Sequence, residues 1–246
     1  MAAASVTPDY PAPAPPAVEH RDWRVWDAVL ALLAGIAASI IVVVIIAVVA
    51  GREPTDAELF GFVFMAQSLG TLGVLWLMGR SRGTGDIVAD LGIRFARGDL
   101  LGIPIGLGIQ LGLGLVMLPL LRLLDVDGPT QEVGEAAQDA NTLVAGAALV
   151  LAVAVMAPLT EEIVFRGVLL RALLRKYGEN AAVLISAAGF AVVHLLDPGS
   201  YLIVPALFVV GVVLAALRMQ RDTLGLVIMV HVGFNLTAVV GLLVPQ

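Results

Sequence analysis

Two adjacent glutamates, Glu161 and Glu162, followed by Arg166, interrupt a stretch that is otherwise apolar from Leu143 to Leu174. His194 lies near the end of a later apolar run, and His231 and Asn235 lie one helical turn apart inside the last one. These residue types suit hydrolysis. A carboxylate beside a neutral imidazole can hold a water and take its proton, while a second imidazole and a carboxamide can donate hydrogen bonds to a developing oxyanion. No serine or cysteine need attack. The chain contains no cysteine, which excludes disulfides, thiolate metal ligands and cysteine nucleophilic catalysis. Any one buried histidine or asparagine taken alone reads first as an interhelical hydrogen bond. The set together with a Glu-Glu pair weighs toward a site.

The order of the charges separates the two glutamates. Glu162 precedes Arg166 by four positions, the favourable order for an ion pair within one helix. Glu161 is about 100° around the same helix, free to face a neighbouring helix or a water-filled cavity. Left unpaired in lipid, Glu161, Glu162 and Arg166 would cost on the order of 8 kcal/mol, so partners are required. Depth is compatible with one polar site. Glu161 lies about 21 Å along its helix from Arg175, and His194 about 21 Å from Asn180.

The elements that must position these groups are membrane helices. The 246 residues are 59% hydrophobic and 14% charged, with a mean hydropathy of +0.98, so most of the chain has lipid as its solvent. Apolar runs lie near Ala28 to Ala50, Leu59 to Met78, Leu100 to Leu121, Leu143 to Leu174, Ala181 to Leu196, Tyr201 to Leu217 and Leu224 to Val244. The expected fold is an all-α, polytopic transmembrane bundle of about seven spans. The run from Ala181 is short for a span. Residues 1–26 form a Pro/Ala-rich arm, expected to be disordered and cytoplasmic; 27–141 hold the first spans and their loops; 142–246 form the core that carries the polar set. Arg21, Arg24, Arg80, Arg82, Arg94, Arg97, Arg171, Arg175, Lys176, Arg218 and Arg221 fall on one side of this arrangement, which makes that side and the amino terminus cytoplasmic. The acidic connection from Asp125 to Asp139 suits the other side. A net charge of -6 without a basic stripe argues against nucleic acid.

Other features read as structural. The pairs Gly102/Gly106 and Gly108/Gly112 let helices approach closely in lipid. Trp23, Trp26 and Trp76 lie near predicted span ends, as interfacial anchors do, and His20 belongs to the polar arm. Arg80 to Asp99 mixes charges with Ile87, Val88, Leu91, Ile93 and Phe95, a pattern that suits either a polar loop or a short amphipathic segment on the membrane surface.

Three motifs occur in order on late spans: Glu161-Glu162-x-x-x-Arg166, Phe190-x-x-x-His194 and His231-x-x-x-Asn235. The set resembles the CPBP family, the CAAX prenyl protease 2, bacteriocin-processing and Abi-like intramembrane endopeptidases. The resemblance covers about residues 142–246, and Asp90-Leu91-Gly92-Ile93-Arg94 also resembles a stretch often found in these proteins. It implies a cell-membrane, multi-pass endopeptidase that cleaves a membrane-associated protein or peptide. Glu161 with His194 would activate water, His231 and Asn235 would stabilise the oxyanion, and Glu162, Arg166 and Phe190 would support the site. Such proteins are often labelled metalloproteases, yet this sequence lacks an HExxH pair, so a divalent metal such as zinc is not favoured. The implied partners are the bilayer and a peptide or protein substrate. A non-catalytic membrane scaffold is the alternative, in which the same cluster only fixes helix packing. A transporter is a third reading, weakened by the lack of an internal repeat.

Overall fold

The computed structural model describes residues 22–51, 59–82, 84–123, 147, 149–196 and 200–243. The proline-rich arm through residue 21, with His20, and the acidic connection from Asp125 to Asp139 lie outside the described residues.

Among the described residues every regular element is helical. Helix α1 spans Val25–Ala50. A π-helical turn at Leu59–Val63 leads into α2, Phe64–Arg82. A short α3, Ile87–Leu91, is capped at its start by Asp86, whose carboxylate accepts from the Val88 and Ala89 amides. Gly92 ends it at φ 71°, a left-handed conformation that favours glycine. A 3-10 turn at Arg97–Leu101 opens into α4, Gly102–Leu123.

The fourth apolar run is a composite helix. Val150–Met156 is π-helical, Ala157–Glu162 is α-helical (α5), Ile163–Leu169 is π-helical again and Leu170–Leu174 returns to α (α6). Pro158 has no amide hydrogen to give to the turn before it, and the register changes there. The Ala157 amide bonds to the Ala152 carbonyl and the Leu170 amide to the Phe165 carbonyl, both the i→i+5 spacing of a π turn. Helix α7, Glu179–Val193, continues into a 3-10 turn at His194–Leu196, followed by α8, Val204–Met219, and α9, Gly225–Leu243.

All seven apolar runs are therefore occupied by helix, but not all have membrane-crossing length and composition. Among the described residues, four stretches are long and apolar enough to cross a membrane: Val25–Val49, Gly61–Ser81, Arg97–Leu123 and Glu179–Leu196. Val204–Met219 and Gly225–Thr237 are shorter apolar helices. The run that looked short from Ala181 gains length because the helix begins at Glu179. Large apolar side chains such as Val48, Val49, Leu115 and Val116 stand mostly exposed, as expected where lipid rather than water is the solvent.

Glycine sets the closest helix contacts. Helix α4 lies along α9, where a Cβ at Gly102 would come within 2.7 Å of Met229 Cβ, and one at Gly106 or Gly233 would collide with the facing backbone. Gly108 and Gly112, expected to pack in the same way, face open space among the described residues. The turn geometry puts only the first pair on the α9 side. Gly35 and Gly70, not singled out by spacing, bring α1 and α2 together. Trp23 also departs from expectation. It is fully buried in the core with Phe165, Val168 and Phe190, whereas Trp26 is exposed and Trp76 lies under the Arg80 guanidinium at 4.8 Å.

Candidate active site

Helix α5 carries the two glutamates and the π-helical turn after it carries Arg166. Arg166 Nη1 donates to Glu162 Oε1 at 2.8 Å, with both side chains fully buried. This is the ion pair expected from the four-residue spacing. Arg166 Nη2 donates to the Gly211 carbonyl on α8 at 3.1 Å, and the guanidinium carbon lies 4.6 Å from the centroid of the Phe190 ring. Gly211 is where a Cβ would press to 3.0 Å from Ala187 Cα, so glycine permits the α7–α8 approach that brings this carbonyl within reach. The supporting frame continues through Ser186 Oγ, which donates to the Phe165 carbonyl at 3.1 Å, and an edge-to-face Phe165–Phe190 contact at 5.5 Å.

His231 enters from α9 and meets both glutamates. Its Nδ1 is 2.8 Å from Glu162 Oε1, and its Nε2 is 3.7 Å from Glu161 Oε2. A carboxylate oxygen only accepts, so Nδ1 carries the proton toward an ionised Glu162. In the neutral imidazole this leaves Nε2 with its lone pair on the Glu161 side. The glutamates are thus inequivalent. Glu162 is fully buried, and its Oε1 is shared by Arg166 and His231, while Glu161 keeps a quarter of its side chain exposed. Glu161 Oε2 and Glu162 Oε2 are both buried with no hydrogen-bond partner among the described residues.

His194 sits at the end of α7, where the helix tightens into its 3-10 turn. Its Nδ1 is 2.8 Å from the Phe190 carbonyl, which fixes the tautomer with Nδ1 protonated and Nε2 free to accept. The Phe190 ring makes edge contacts with His194 at 4.9 Å and with His231 at 5.6 Å. The sequence pairs Glu161 with His194; the structure puts His231 within 3.7 Å of Glu161, and both imidazoles touch the Phe190 ring. Asn235 also has a specific partner, since Nδ2 donates to the Val153 carbonyl at 2.9 Å and so ties α9 to the π-helical Val150–Met156 segment. The carboxamide nitrogen has two hydrogens, so this bond uses one and leaves the second. Phe190, known from spacing only as a motif position, proves to be the hub that touches Arg166, His194 and His231.

Among the described residues, no group of three or more His, Asp or Glu lies close enough to hold a metal ion, and the Nε2 atoms of His194 and His231 carry no hydrogen bond to protein. What the arrangement does is hold a partly exposed carboxylate, Glu161, beside the buried His231 imidazole.

The sequence model of the family described as type II CAAX prenyl endopeptidase Rce1-like matches residues 143–237, a segment that includes Glu161, Glu162, Arg166, His194, His231 and Asn235. No curated protein and no solved structure matches the chain.

Proposed function

Residues 143–237 belong to the type II CAAX prenyl endopeptidase Rce1-like family, and from that premise we propose that this protein hydrolyses a peptide bond of a membrane-associated substrate, with Glu161 as general base. The observation that carries the assignment is the inequivalence of the two glutamates. Glu162 is fully buried and its Oε1 is held by both Arg166 and His231, whereas Glu161 is a quarter exposed and has no cation or backbone donor bonded to it among the described residues. A water between Glu161 Oε2 and His231 Nε2 would suit their 3.7 Å separation, which is too long for a direct hydrogen bond.

In this reading Glu161 takes the proton as water oxygen attacks the scissile carbonyl carbon. The carbonyl π electrons move to oxygen, and donors in the site stabilise the oxyanion. Collapse re-forms the carbonyl, breaks the C–N bond and returns the proton to the leaving amine. His194, held through Nδ1 by the Phe190 carbonyl, offers Nε2 for orienting substrate or water. Glu162 and Arg166 hold the His231 tautomer, and Asn235 holds the α9 register that presents it. The substrate class is a chain that reaches the bilayer, because the glutamates sit among helices whose outer faces are apolar.

The test compares peptide termini by mass spectrometry in membranes holding equal amounts of wild type and Glu161→Gln. New termini confined to wild type are expected and would name the substrates. Identical termini from two folded, equally abundant proteins would sink the assignment and favour the scaffold reading.

A further inference from the structure

At the end of the bundle where α6 and α8 finish, a cavity of about 460 Å³ is lined by Arg94, Arg171, Arg175, Arg218, Arg221 and Asp222, together with apolar surface from Leu174 and Met219. Five guanidiniums thus surround one lining carboxylate. Asp222 acts favourably on the charges of Arg171 and Arg218, and Asp90 on that of Arg171, but the five arginines outnumber these acids. The Asp90 carboxylate accepts from Thr84 N at 3.1 Å and Thr84 Oγ1 at 2.8 Å, and Asp90 meets Arg171 through its carbonyl oxygen. Arg175 has an exposed ion pair with Asp22 at 3.6 Å. Among the described residues, no carboxylate comes within ion-pair distance of Arg94, Arg171, Arg218 or Arg221.

Arg218 is the second, independent sign of a ligand. It is 9% exposed, its Nη1 donates to the Arg221 carbonyl, and its Nε is buried without a hydrogen-bond partner among the described residues. The Arg171 and Arg218 Nη2 atoms converge on Gly92. A Cβ there would lie 2.9 Å from the first and 3.9 Å from the second. Gly92 both takes the left-handed turn and keeps the space in front of the two guanidiniums clear, which gives the Asp90-Leu91-Gly92-Ile93-Arg94 stretch a physical role. Like charges gathered this closely repel unless an anion joins them, and planar guanidinium forks match the oxygens of a phosphate.

The geometry points to a phosphate-binding site in this cavity, filled by the anionic head group of a membrane lipid or by free phosphate. The surroundings agree with the lipid source. On the same segment Val88 and Phe95 stand about half exposed beside the charges, and the Trp76–Arg80 stack lies on the preceding helix.

The experiment uses the full chain purified in detergent. Native mass spectrometry measures retention of dioleoylphosphatidylglycerol against dioleoylphosphatidylcholine, and thermal unfolding compares inorganic phosphate with chloride at equal ionic strength. The variants are Arg94→Gln and Arg221→Gln, singly and together, because both side chains are exposed and their loss leaves the fold intact. Arg80→Gln, outside the cavity, is the control for general surface charge. A lipid site predicts selective retention of phosphatidylglycerol, weakened ~10-fold or more in the double variant and unchanged in Arg80→Gln. A free-phosphate site predicts stabilisation by millimolar phosphate that the double variant loses, with no lipid selectivity. Equal retention of both lipids with no phosphate stabilisation, or equal weakening in Arg80→Gln, overturns the proposal. Substrate cleavage is not read in any arm, so the outcome is independent of the catalytic assignment.

Discussion

At the scale of single residues, the two neighbouring glutamates should fail in different ways. Glu161→Gln removes the proposed general base but disturbs no hydrogen bond of Glu161 Oε2 among the described residues. Cleavage should fall ~10²-fold to 10⁴-fold while the unfolding temperature in detergent stays close to wild type. Arg166→Ala leaves Glu162 buried without its cation, so it should destabilise the protein by about 3–5 kcal/mol, read as a large drop in unfolding temperature. Arg166→Lys should not rescue it, because one ammonium cannot reproduce the planar fork that spans Glu162 Oε1 and the Gly211 carbonyl. A lysine variant of full stability would show that charge alone matters here.

At the scale of elements, the site depends on where helices are allowed to touch and on where their register shifts. Gly106 faces the α9 backbone, whereas Gly108 faces open space among the described residues. Gly106→Ala should therefore cost about 1–3 kcal/mol through overpacking, and should also move His231 away from the glutamates and lower activity. Gly108→Ala should be neutral or stabilise by roughly 0.5–1 kcal/mol, since it removes backbone freedom without meeting a neighbour. Thermal unfolding of the two variants side by side decides the matter, and equal effects would contradict the packing described. The π turns on either side of α5 matter for the same reason. Each extra residue in a turn rotates the helix beyond it, so the directions of Glu161, Glu162 and Arg166 differ from those of an uninterrupted α-helix.

At the scale of the whole molecule, the regions before and after residue 142 are joined by packing. Helix α4 runs along α9, and Trp23, just before α1, is buried with Phe165 and Phe190. A fragment of residues 142–246 should consequently unfold at a lower temperature than the full chain and lose cleavage, although it contains every proposed site residue. Expression of the fragment in membranes, with the same terminus analysis, checks this. Full activity in the fragment would mean that the earlier helices serve another purpose.

The sequence by itself determined the class of molecule and the cast of the site. Composition made it a helical membrane protein, the four-residue spacing made Glu162 and Arg166 a pair, and the ordered motifs pointed to the family that residues 143–237 match. These are local properties, carried by helical periodicity and by the cost of charge in lipid. Only the tertiary structure decided the partners. It placed His231 within 3.7 Å of Glu161, set both imidazoles against the Phe190 ring, turned Asn235 to the Val153 carbonyl and buried Trp23. It also gathered arginines from three distant stretches around one cavity. Such choices depend on π turns, glycine contacts and helix rotations, none of which is fixed until the helices pack.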